Sequence, residues 1–331
     1  MLSRKILTLI FLKPIVEFED QLKKLDKILI SYKNIHSSII LRQHLNYLKA
    51  SFYKLKRDIF QSLTPLQRLH LVRQSDRPTT LDYISYIMDS WIELNGDRGG
   101  SNDPAMVTGI GYLNSIPVIF IGHQRGKNTK DNVLRNFGMA SPGGYRKALR
   151  LMKHANKFNF PILTFIDTPG AWAGIEAEEL GQGEAIAVNL KEMFSLEVPI
   201  ICTIIGEGGS GGALGIGIGD KVLMLEYAVY TIATPEACAA ILWKDSTKSP
   251  IAAESLKITS YDLKLLGIID SVIKEPIGGS QFDPYQASIY LKIELVLNLK
   301  SLLSISRKKR KELRYQKFRK IGTFYNSSEC Y

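Results

Sequence analysis

The chain has 331 residues, of which 45% are hydrophobic and 23% charged, a composition typical of a globular protein. The formal net charge of +11 favours an anionic partner, such as nucleic acid, a phosphorylated cofactor, an acidic protein or a membrane surface. The three cysteines, Cys202, Cys238 and Cys330, lack the spacing of a zinc site or of a disulfide framework, so we expect no metal in this chain and a reducing compartment.

The N-terminal segment MLSRKILTLIFLKP is basic and then briefly apolar. Its apolar run ends at Lys13 without a small-residue cleavage site and is too short to span a bilayer. The segment also lacks the Ser/Arg-rich length of an import peptide. We therefore expect mature protein, made in the compartment where it works.

Two segments near the N-terminus carry apolar residues at alternating steps of four and three, which places those residues on one seam of a helix. The seams consist of Phe18, Leu22, Leu25, Leu29 and Tyr32, and of Leu41, Leu45, Leu48, Phe52, Leu55 and Ile59. Joined near KNIHSS, the two helices predict an antiparallel hairpin that packs on its own chain or on a partner. Thr64-Pro65 predicts the start of a further helix, and another is expected to start near Thr80.

From about residue 105 the sequence indicates alternating strands and helices. The predicted strands are PVIFIG, PILTFID, VPIICTII and KVLMLEYAVYTIA, and the helices between and after them are SPGGYRKALRLMKHANKF, EAIAVNLKEMFS and PEACAAILW. Continuous β-branched runs are typical of parallel strands covered on both faces. Functional residues of such sheets lie where the strands end, at their carboxyl edge.

The first of two unusual loops, DTPGAWAG at residues 167–174, follows the strand PILTFI. Pro169 and Gly170 fix a turn, and the small residues after them keep it narrow. An ordinary connection between a strand and a helix would explain this loop taken alone. If the next strand is its parallel neighbour, both loops lie over one cleft. No pair of carboxylates or metal cluster stands out there.

The second loop, GEGGSGGALG at residues 206–215, places Ser210 in a G-x-S-x-G pattern between a strand and a helix, as in a nucleophile elbow. A hydrolase of that type needs an acid and then a histidine later in the chain. All five histidines precede the serine: His36, His44, His70, His123 and His154. A triad in another order, using His123 or His154, is left open, and a small residue in a tight turn is the favoured interpretation.

The glycines of this loop are a second candidate for chemistry. Close packing explains two or three of them, but Gly206, Gly208, Gly209, Gly211 and Gly212 form a cluster. Bare backbone N–H groups at a helix start form a donor pocket, and each donor to a developing enolate or ureido oxyanion lowers the barrier by about 3–4 kcal/mol. A phosphate cradle is less favoured. GHQRGKNT is one residue short of a P-loop, and the G-x-G-x-x-G match lacks a ribose-binding acid about 20 residues later.

The C-terminal run SRKKRKELRYQKFRK holds much of the positive charge. A solvated, partly helical tail is favoured over an arm that binds nucleic acid.

Long blocks of the sequence resemble the carboxyltransferase α subunits of multi-subunit acetyl-CoA carboxylase, the bacterial and plastid type. The blocks are RNFGMASPGGYRKALRLM, FIDTPGAWAGIEAEELGQGEAIAVNL, VPIICTIIGEGGSGGALGIGIGDKVLMLEYAVYTIATPEACAAILWK and IDSVIKEP. The resemblance runs from about residue 4 to about residue 320. It implies an α/β fold of the ClpP/crotonase type, a superhelix of ββα units with an N-terminal helical hairpin. The expected division is a helical arm at 1–78, a carboxyltransferase domain at 79–295 and a basic helix or tail at 296–331.

The resemblance also implies a reaction, the transfer of a carboxyl group from carboxybiotin on a carrier protein to acetyl-CoA, giving malonyl-CoA for fatty acid synthesis. The biotin nitrogen takes the acetyl proton, so no protein general base is needed. By resemblance, Gly208, Gly209, Gly211 and Gly212 are expected to donate to the oxyanion, with Gly211 and Gly212 favoured. The expected lining of the biotin pocket is Thr168, Pro169, Gly170 and Ala171.

The implied partners are a zinc-containing carboxyltransferase β subunit, the biotin carboxyl carrier protein and biotin carboxylase, with two α and two β chains and no membrane. The chain departs from the family at Trp172-Ala173, where Tyr-Pro is common, and at Ala237, where glycine is common. A bias toward Ile, Lys and Asn favours an algal plastid stroma, with a bacterial cytoplasm as the alternative. Nucleic-acid binding through the basic tail, as a nonspecific side activity, is the alternative function.

Overall fold

An eight-stranded sheet forms the centre of the computed structural model, which describes residues 9–31 and 35–322. The strands are β1 Ser90–Glu93, β2 Met106–Leu113, β3 Ile116–His123, β4 Ile162–Thr168, β5 Ile200–Gly209, β6 Lys221–Leu225, β7 Val229–Thr231 and β8 Ser271–Ile273. Their order in the sheet is β1-β2-β3-β4-β5-β6-β8, and β7 pairs with β5. The first three strands are antiparallel and the remaining pairs are parallel.

Helices cover both faces of the parallel part of the sheet. They are α1 Lys13–Ser31, α2 Ile35–Gln61, α3 Pro65–Val72, α4 Thr80–Ile87, α5 Thr129–Leu134, α6 Pro142–Phe158, α7 Ile175–Glu179, α8 Gln182–Ser195, α9 Ser210–Leu214, α10 Pro235–Trp243, α11 Ser249–Ser255, α12 Ser260–Leu265, α13 Pro284–Leu303 and α14 Arg307–Arg319. Short 3-10 helices lie at Ile10–Leu12, Asn136–Gly138 and Ser246–Lys248. Every residue of β4 and β5 is buried, as expected for strands covered on both sides.

Several predicted helices begin where their sequence signals lie. The Thr64 side chain accepts a hydrogen bond from the backbone of Gln67, and Pro65 is the first residue of α3. α4 starts at Thr80, and α6 and α8 cover the two segments predicted to be helical. These predictions are confirmed.

The predicted alternation of strands and helices was incomplete, because it omitted β1 and β2. β2 and β3 form an antiparallel hairpin whose two-residue turn, Asn114-Ser115, has φ values of 47° and 63°. Two residues with positive φ are typical of a type I′ turn, which suits the twist of a hairpin.

The single strand predicted at KVLMLEYAVYTIA was also wrong, since the structure divides it into β6 and β7. β6 pairs with the first half of β5, and β7 pairs with residues 207–209 at its end. The chain turns between them at Glu226, whose carbonyl accepts hydrogen bonds from Arg68 and Ser260.

The N-terminal arm consists of α1 and α2. The rings of Phe18 and Phe52 stack at 5.2 Å, and Lys49 Nζ lies 2.6 Å from a carboxylate oxygen of Asp26. At the base of the arm Phe60 packs edge-on against Tyr227 of the sheet domain. The predicted helical pair is confirmed, although Tyr32 of the first seam lies outside the described residues.

The basic C-terminal run is a docked helix, α14, and the expectation of a solvated tail was wrong for two of its arginines. Arg314 is fully buried and donates to both oxygens of Asp220 at 2.9 and 2.8 Å. Arg310 is also buried and donates to the Glu197 carbonyl. Both cations therefore anchor α14. The predicted domain division stays a prediction, and its boundary at 295/296 falls within α13. None of the described helices is long and apolar enough to cross a bilayer.

Candidate functional site

The two loops singled out in the sequence lie side by side at the carboxyl ends of β4 and β5. In this parallel pair Thr168 lies opposite Gly208, after a shift of register that follows Ile166. Both strands end here, so the segments 168–171 and 208–212 leave the sheet together. The structure thus brings the predicted biotin-pocket residues and the predicted donors into one place.

The loops pack backbone against backbone, which explains two of the glycines. A Cβ atom added to Gly209 would lie 2.0 Å from the carbonyl oxygen of Pro169. A Cβ atom added to Gly212 would lie 2.4 Å from the carbonyl carbon of Gly170 and 2.5 Å from the nitrogen of Ala171. Only glycine permits this approach.

The four glycines predicted as donors fall into two groups. Gly208 and Gly209 belong to β5, where Gly208 lies opposite Thr168 on one side and both residues pair with β7 on the other. Gly211 and Gly212 lie beyond the strand, in the first turn of α9. Because the first N–H groups of a helix have no intrahelical acceptor, the amides of Gly211 and Gly212 have no partner within α9.

Gly211 differs from its neighbours because it faces open space. A Cβ atom added there would meet nothing within 4 Å. Gly211 and Ser210 are among the residues that line a cavity of about 420 Å³, whose other walls are mostly apolar. The apolar walls are formed by Leu214, Ile232, Leu256, Leu263, Leu266 and Ile268.

Ser210 has no acid–base partner of the kind a nucleophile needs. Among the hydrogen bonds of the described residues, none joins its hydroxyl to a histidine, and His154 lies exposed on α6 beside Phe158. His123 is fully buried, and burial together with the charge of Arg125 lowers its pKa to about 3. Ser210 itself has a φ of 50°, a conformation that fits a tight turn between β5 and α9.

The loop after β4 is held in place although it has Ala173 at the position where the resembled family commonly has proline. The Thr168 hydroxyl and Gly170 form a local turn, with Gly170 N–H donating to Thr168 Oγ1 at 3.2 Å. Gln182 Nε2 donates to the carbonyls of Ala140 and Trp172, both at 2.8 Å. Gln182 was missed in the sequence analysis because the carbonyls that it binds are distant from it in the chain. No local sequence pattern indicates such a contact.

A buried network of charges lies beneath the two loops, and it includes a pair of carboxylates that was not predicted from the sequence. The backbone N–H of Glu207 donates to Asp167 Oδ1 at 3.0 Å. Arg125 lies 3.0 Å from a carboxylate oxygen of each. Arg73, the residue after α3, donates to both oxygens of Glu207 at 3.0 and 2.7 Å. Both carboxylates are thus engaged by arginines and support the loops.

The two carboxyl groups respond differently to this environment. Burial raises the pKa of Asp167, and the nearby charge of Arg125 only partly opposes the shift. Burial would also raise the pKa of Glu207, but hydrogen bonds and charge from Arg73 and Arg125 outweigh it and hold that pKa below its ordinary value. Within residues 9–31 and 35–322, no cluster of three or more His, Cys, Asp or Glu side chains could hold a metal ion.

Comparison with known proteins gives the same family over nearly the whole length. Residues 8–322 match the family described as "Acetyl co-enzyme A carboxylase carboxyltransferase-like". The relative from Gracilaria tenuistipitata var. liui, called acetyl-coenzyme A carboxylase carboxyl transferase subunit alpha, is 71% identical to this chain. The match covers 100% of this chain and 99% of the relative. The relative from Crocosphaera subtropica (strain ATCC 51142 / BH68) is 58% identical over 98% of this chain and 96% of its own length.

Solved structures with lower identity share the fold. A Pseudomonas malonate decarboxylase heterotetramer in complex with coenzyme A superimposes with a TM-score of 0.56 at 17% identity, covering 71% of this chain and 91% of that one. The transcarboxylase 12S structure with methylmalonyl-coenzyme A gives 0.53 at 20% identity, covering 65% and 40%. The α/β fold of the crotonase type, predicted from the resemblance, is confirmed.

Proposed function

The chain belongs to the acetyl-coenzyme A carboxylase carboxyltransferase family, as an α subunit, and from this premise we propose that it carries out the carboxyl transfer to acetyl-CoA. The carboxyl group comes from carboxybiotin on the biotin carboxyl carrier protein, and the product is malonyl-CoA. The observation that supports the proposal best is the position of Gly211, which lines an apolar cavity and has open space beside its Cα atom.

In this proposal the backbone of the chain stabilises charge. The N–H groups of Gly211 and Gly212 donate to the oxygen on which negative charge develops, each contributing about 3–4 kcal/mol. The apolar walls exclude water, which strengthens these hydrogen bonds. The segment 168–171 is not among the residues that line this cavity, but it fixes the position of Gly212 through its backbone contact.

The residues present fit biotin as a substrate group held on another protein. The cavity of about 420 Å³ is walled mainly by leucine and isoleucine and is also lined by Ser210 and Gly211 of the glycine turn. Such a lining suits an apolar ring system with a polar ureido end. When bound, biotin supplies the carboxyl group and a nitrogen that can take the acetyl proton. The chain then needs no general base, in keeping with the pairing of Asp167 and Glu207 to arginines.

The proposed assembly joins this chain to a zinc-containing β subunit as two α and two β chains, working with the carrier protein and biotin carboxylase. The relatives are named as α subunits, which supports a second kind of subunit. The proposed location is the plastid stroma of an alga, with a bacterial cytoplasm as the alternative. Relatives from Gracilaria and Antithamnion, at 71% and 70% identity, support an algal origin.

A reconstitution tests the proposed function. The purified chain is mixed with its β partner, carboxybiotin on the carrier and acetyl-CoA, and malonyl-CoA is measured. We expect product from the complete mixture and none when either subunit is omitted. A folded, assembled mixture that forms no malonyl-CoA would contradict the proposal.

A nonspecific affinity for nucleic acid is the second candidate, supported by the exposed Lys308, Lys309 and Lys311 on α14. Binding through such contacts falls steeply with salt. We expect RNA or DNA binding to disappear in the triple variant with alanine at these lysines while carboxyl transfer is kept. Binding that is insensitive to salt would contradict this second function.

A further inference from the structure

We propose that Tyr145 and Asn189 are positioning residues that orient the glycine turn, residues 210–215, toward the cavity. This inference rests on the proposed function, because it assigns a task to residues that support the N–H donors. The two residues come from different helices, α6 and α8, and both lie beneath the turn.

The turn needs such support because its helix is very short. α9 has five residues, and helices of this length have little stability of their own in water. Three of the residues at 210–215 are glycines, which favour many backbone conformations. Contacts from the rest of the protein must therefore select the conformation seen.

Tyr145 provides the first of these contacts. Its side chain is fully buried, and its hydroxyl donates to the carbonyl oxygen of Gly212 at 3.1 Å. Its ring lies directly against Gly215, where an added Cβ atom would be 2.5 Å from ring carbon Cε1. The hydroxyl thus fixes the direction of one carbonyl in the turn, and the ring fixes the distance of the turn from α6.

Asn189 provides the second contact and joins it to the first. It is fully buried, and its Nδ2 donates to the carbonyl oxygen of Gly215 at 3.0 Å and to that of Tyr145 at 3.1 Å. Two carbonyls of the turn, at Gly212 and Gly215, are therefore held from inside the protein.

Holding these carbonyls orients the amides of the same turn. In a helical turn the peptide groups are nearly parallel, so carbonyls directed into the protein leave the first N–H groups directed the opposite way. Gly211 lines the cavity, and open space adjoins its Cα atom. We place the first N–H donors of the turn on this open side. A small rotation of the turn would misplace the donors, and misplacements of about 1 Å cost up to about 100-fold in rate.

The experiment removes one hydroxyl and leaves the ring. Tyr145→Phe is compared with Tyr83→Phe, which deletes an equally buried hydroxyl on α4 that has no hydrogen bond to the turn. In the assembled enzyme we expect Tyr145→Phe to lower kcat about tenfold while the KM for acetyl-CoA changes less than about twofold. Tyr83→Phe should leave both constants near wild type.

Amide hydrogen exchange gives a readout that does not depend on activity. We expect faster exchange at residues 210–215 in Tyr145→Phe and in Asn189→Asp, and no change there in Tyr83→Phe. Wild-type exchange and wild-type kcat in an active Tyr145→Phe enzyme would overturn the positioning role. A wild-type mixture that makes no malonyl-CoA would instead contradict the proposed function, and the exchange data would still decide the positioning role.

Discussion

Gly211 and Gly212, in the loop after β5, have different surroundings, and replacing each with alanine tests the difference. At Gly211 an added Cβ meets nothing within 4 Å, whereas at Gly212 it meets the backbone of Gly170 at 2.4 Å. We expect Gly211→Ala to keep its free energy of unfolding within about 1 kcal/mol of wild type. Its carboxyl transfer should fall at least about tenfold, because the methyl group stands where the substrate oxygen would lie.

Gly212→Ala is the matched comparison at the adjacent position. The clash with Gly170 should lower the free energy of unfolding by about 1–3 kcal/mol. Thermal or urea unfolding, measured beside activity, separates the two variants. Full activity in Gly211→Ala would refute a substrate oxygen at this amide.

Ser210 gives a prediction about its backbone. A φ of 50° costs a non-glycine residue about 1–2 kcal/mol, so Ser210→Gly should be at least as stable as wild type. Ser210→Ala keeps the strain and removes only the hydroxyl, and its kcat should fall less than about tenfold. A loss above about a thousandfold in kcat of Ser210→Ala would restore the nucleophile hypothesis.

The sequence could indicate the glycine cluster but not the task of each member. Gly206 is needed because Asp167 lies against it, with an added Cβ 2.3 Å from Oδ1, and Gly208 because the ring of Tyr230 covers it. These neighbours come from other strands, so no spacing within 206–215 separates Gly206 from Gly211. The family resemblance, by contrast, favoured Gly211 and Gly212, the pair that lies beyond β5.

At the scale of elements, Arg314 is the more deeply buried of the two arginines that anchor α14. Arg314 donates to Asp220 and to the carbonyls of Met193, Leu196 and Val198, at 2.6 to 2.9 Å. Arg314→Leu leaves the Asp220 carboxylate buried without its cation. We expect the free energy of unfolding to fall by about 3–5 kcal/mol, measured by urea denaturation.

Two further variants control this prediction. Lys311→Leu changes an exposed cation on the same helix and should shift stability by less than about 0.5 kcal/mol. Adding Asp220→Asn to Arg314→Leu removes the unpaired charge and should recover part of the loss. If Arg314→Leu unfolds like Lys311→Leu, the buried ion pair does not anchor the helix.

Elements stabilised by local signals were predicted well, and those defined by distant partners were not. The cap at Thr64 and the helix start at Thr80 each depend on residues next to them in the sequence. β1 is a four-residue edge strand with an exposed surface, and its pairing with β2 defines it more than its composition does. β6 and β7 read as one apolar run because their separation depends on β5, which changes partner along its length.

At the scale of the whole molecule, buried charges join segments that are far apart in sequence. Arg77, which lies between α3 and α4, pairs with Glu275, which follows β8. Arg73 and Arg125 pair with Glu207 beneath the site. Burial would raise the pKa of Glu275, but the charge of Arg77 and the hydrogen bonds from Arg77, Ser280 and Tyr227 together outweigh burial and lower that pKa. Such carboxylates stabilise the fold above their unfolded pKa of about 4.5, and this stabilisation is lost as the pH falls through their folded pKa.

Between pH 6.5 and 4.5 a different group governs the acid sensitivity. His123 titrates at about 3 in the folded chain, against 6.5 unfolded, because it is buried and lies near Arg125. The unfolded chain therefore binds a proton that the folded chain does not, so stability falls as the pH drops through this window. The slope that His123 contributes approaches about 1.4 kcal/mol per pH unit below 6.5.

His123→Gln isolates this contribution, since glutamine does not titrate. Asp167, whose pKa is raised by burial, acts in the opposite sense and is present in both proteins, so it cancels in their difference. We expect the free energy of unfolding, from urea denaturation at pH 4.5 to 7.5, to fall less steeply with acid in His123→Gln than in wild type. Parallel curves would show that the imidazole has the same pKa in the folded and unfolded chains. They would place it in contact with solvent or a counter-charge rather than in the dry interior beneath Gly212.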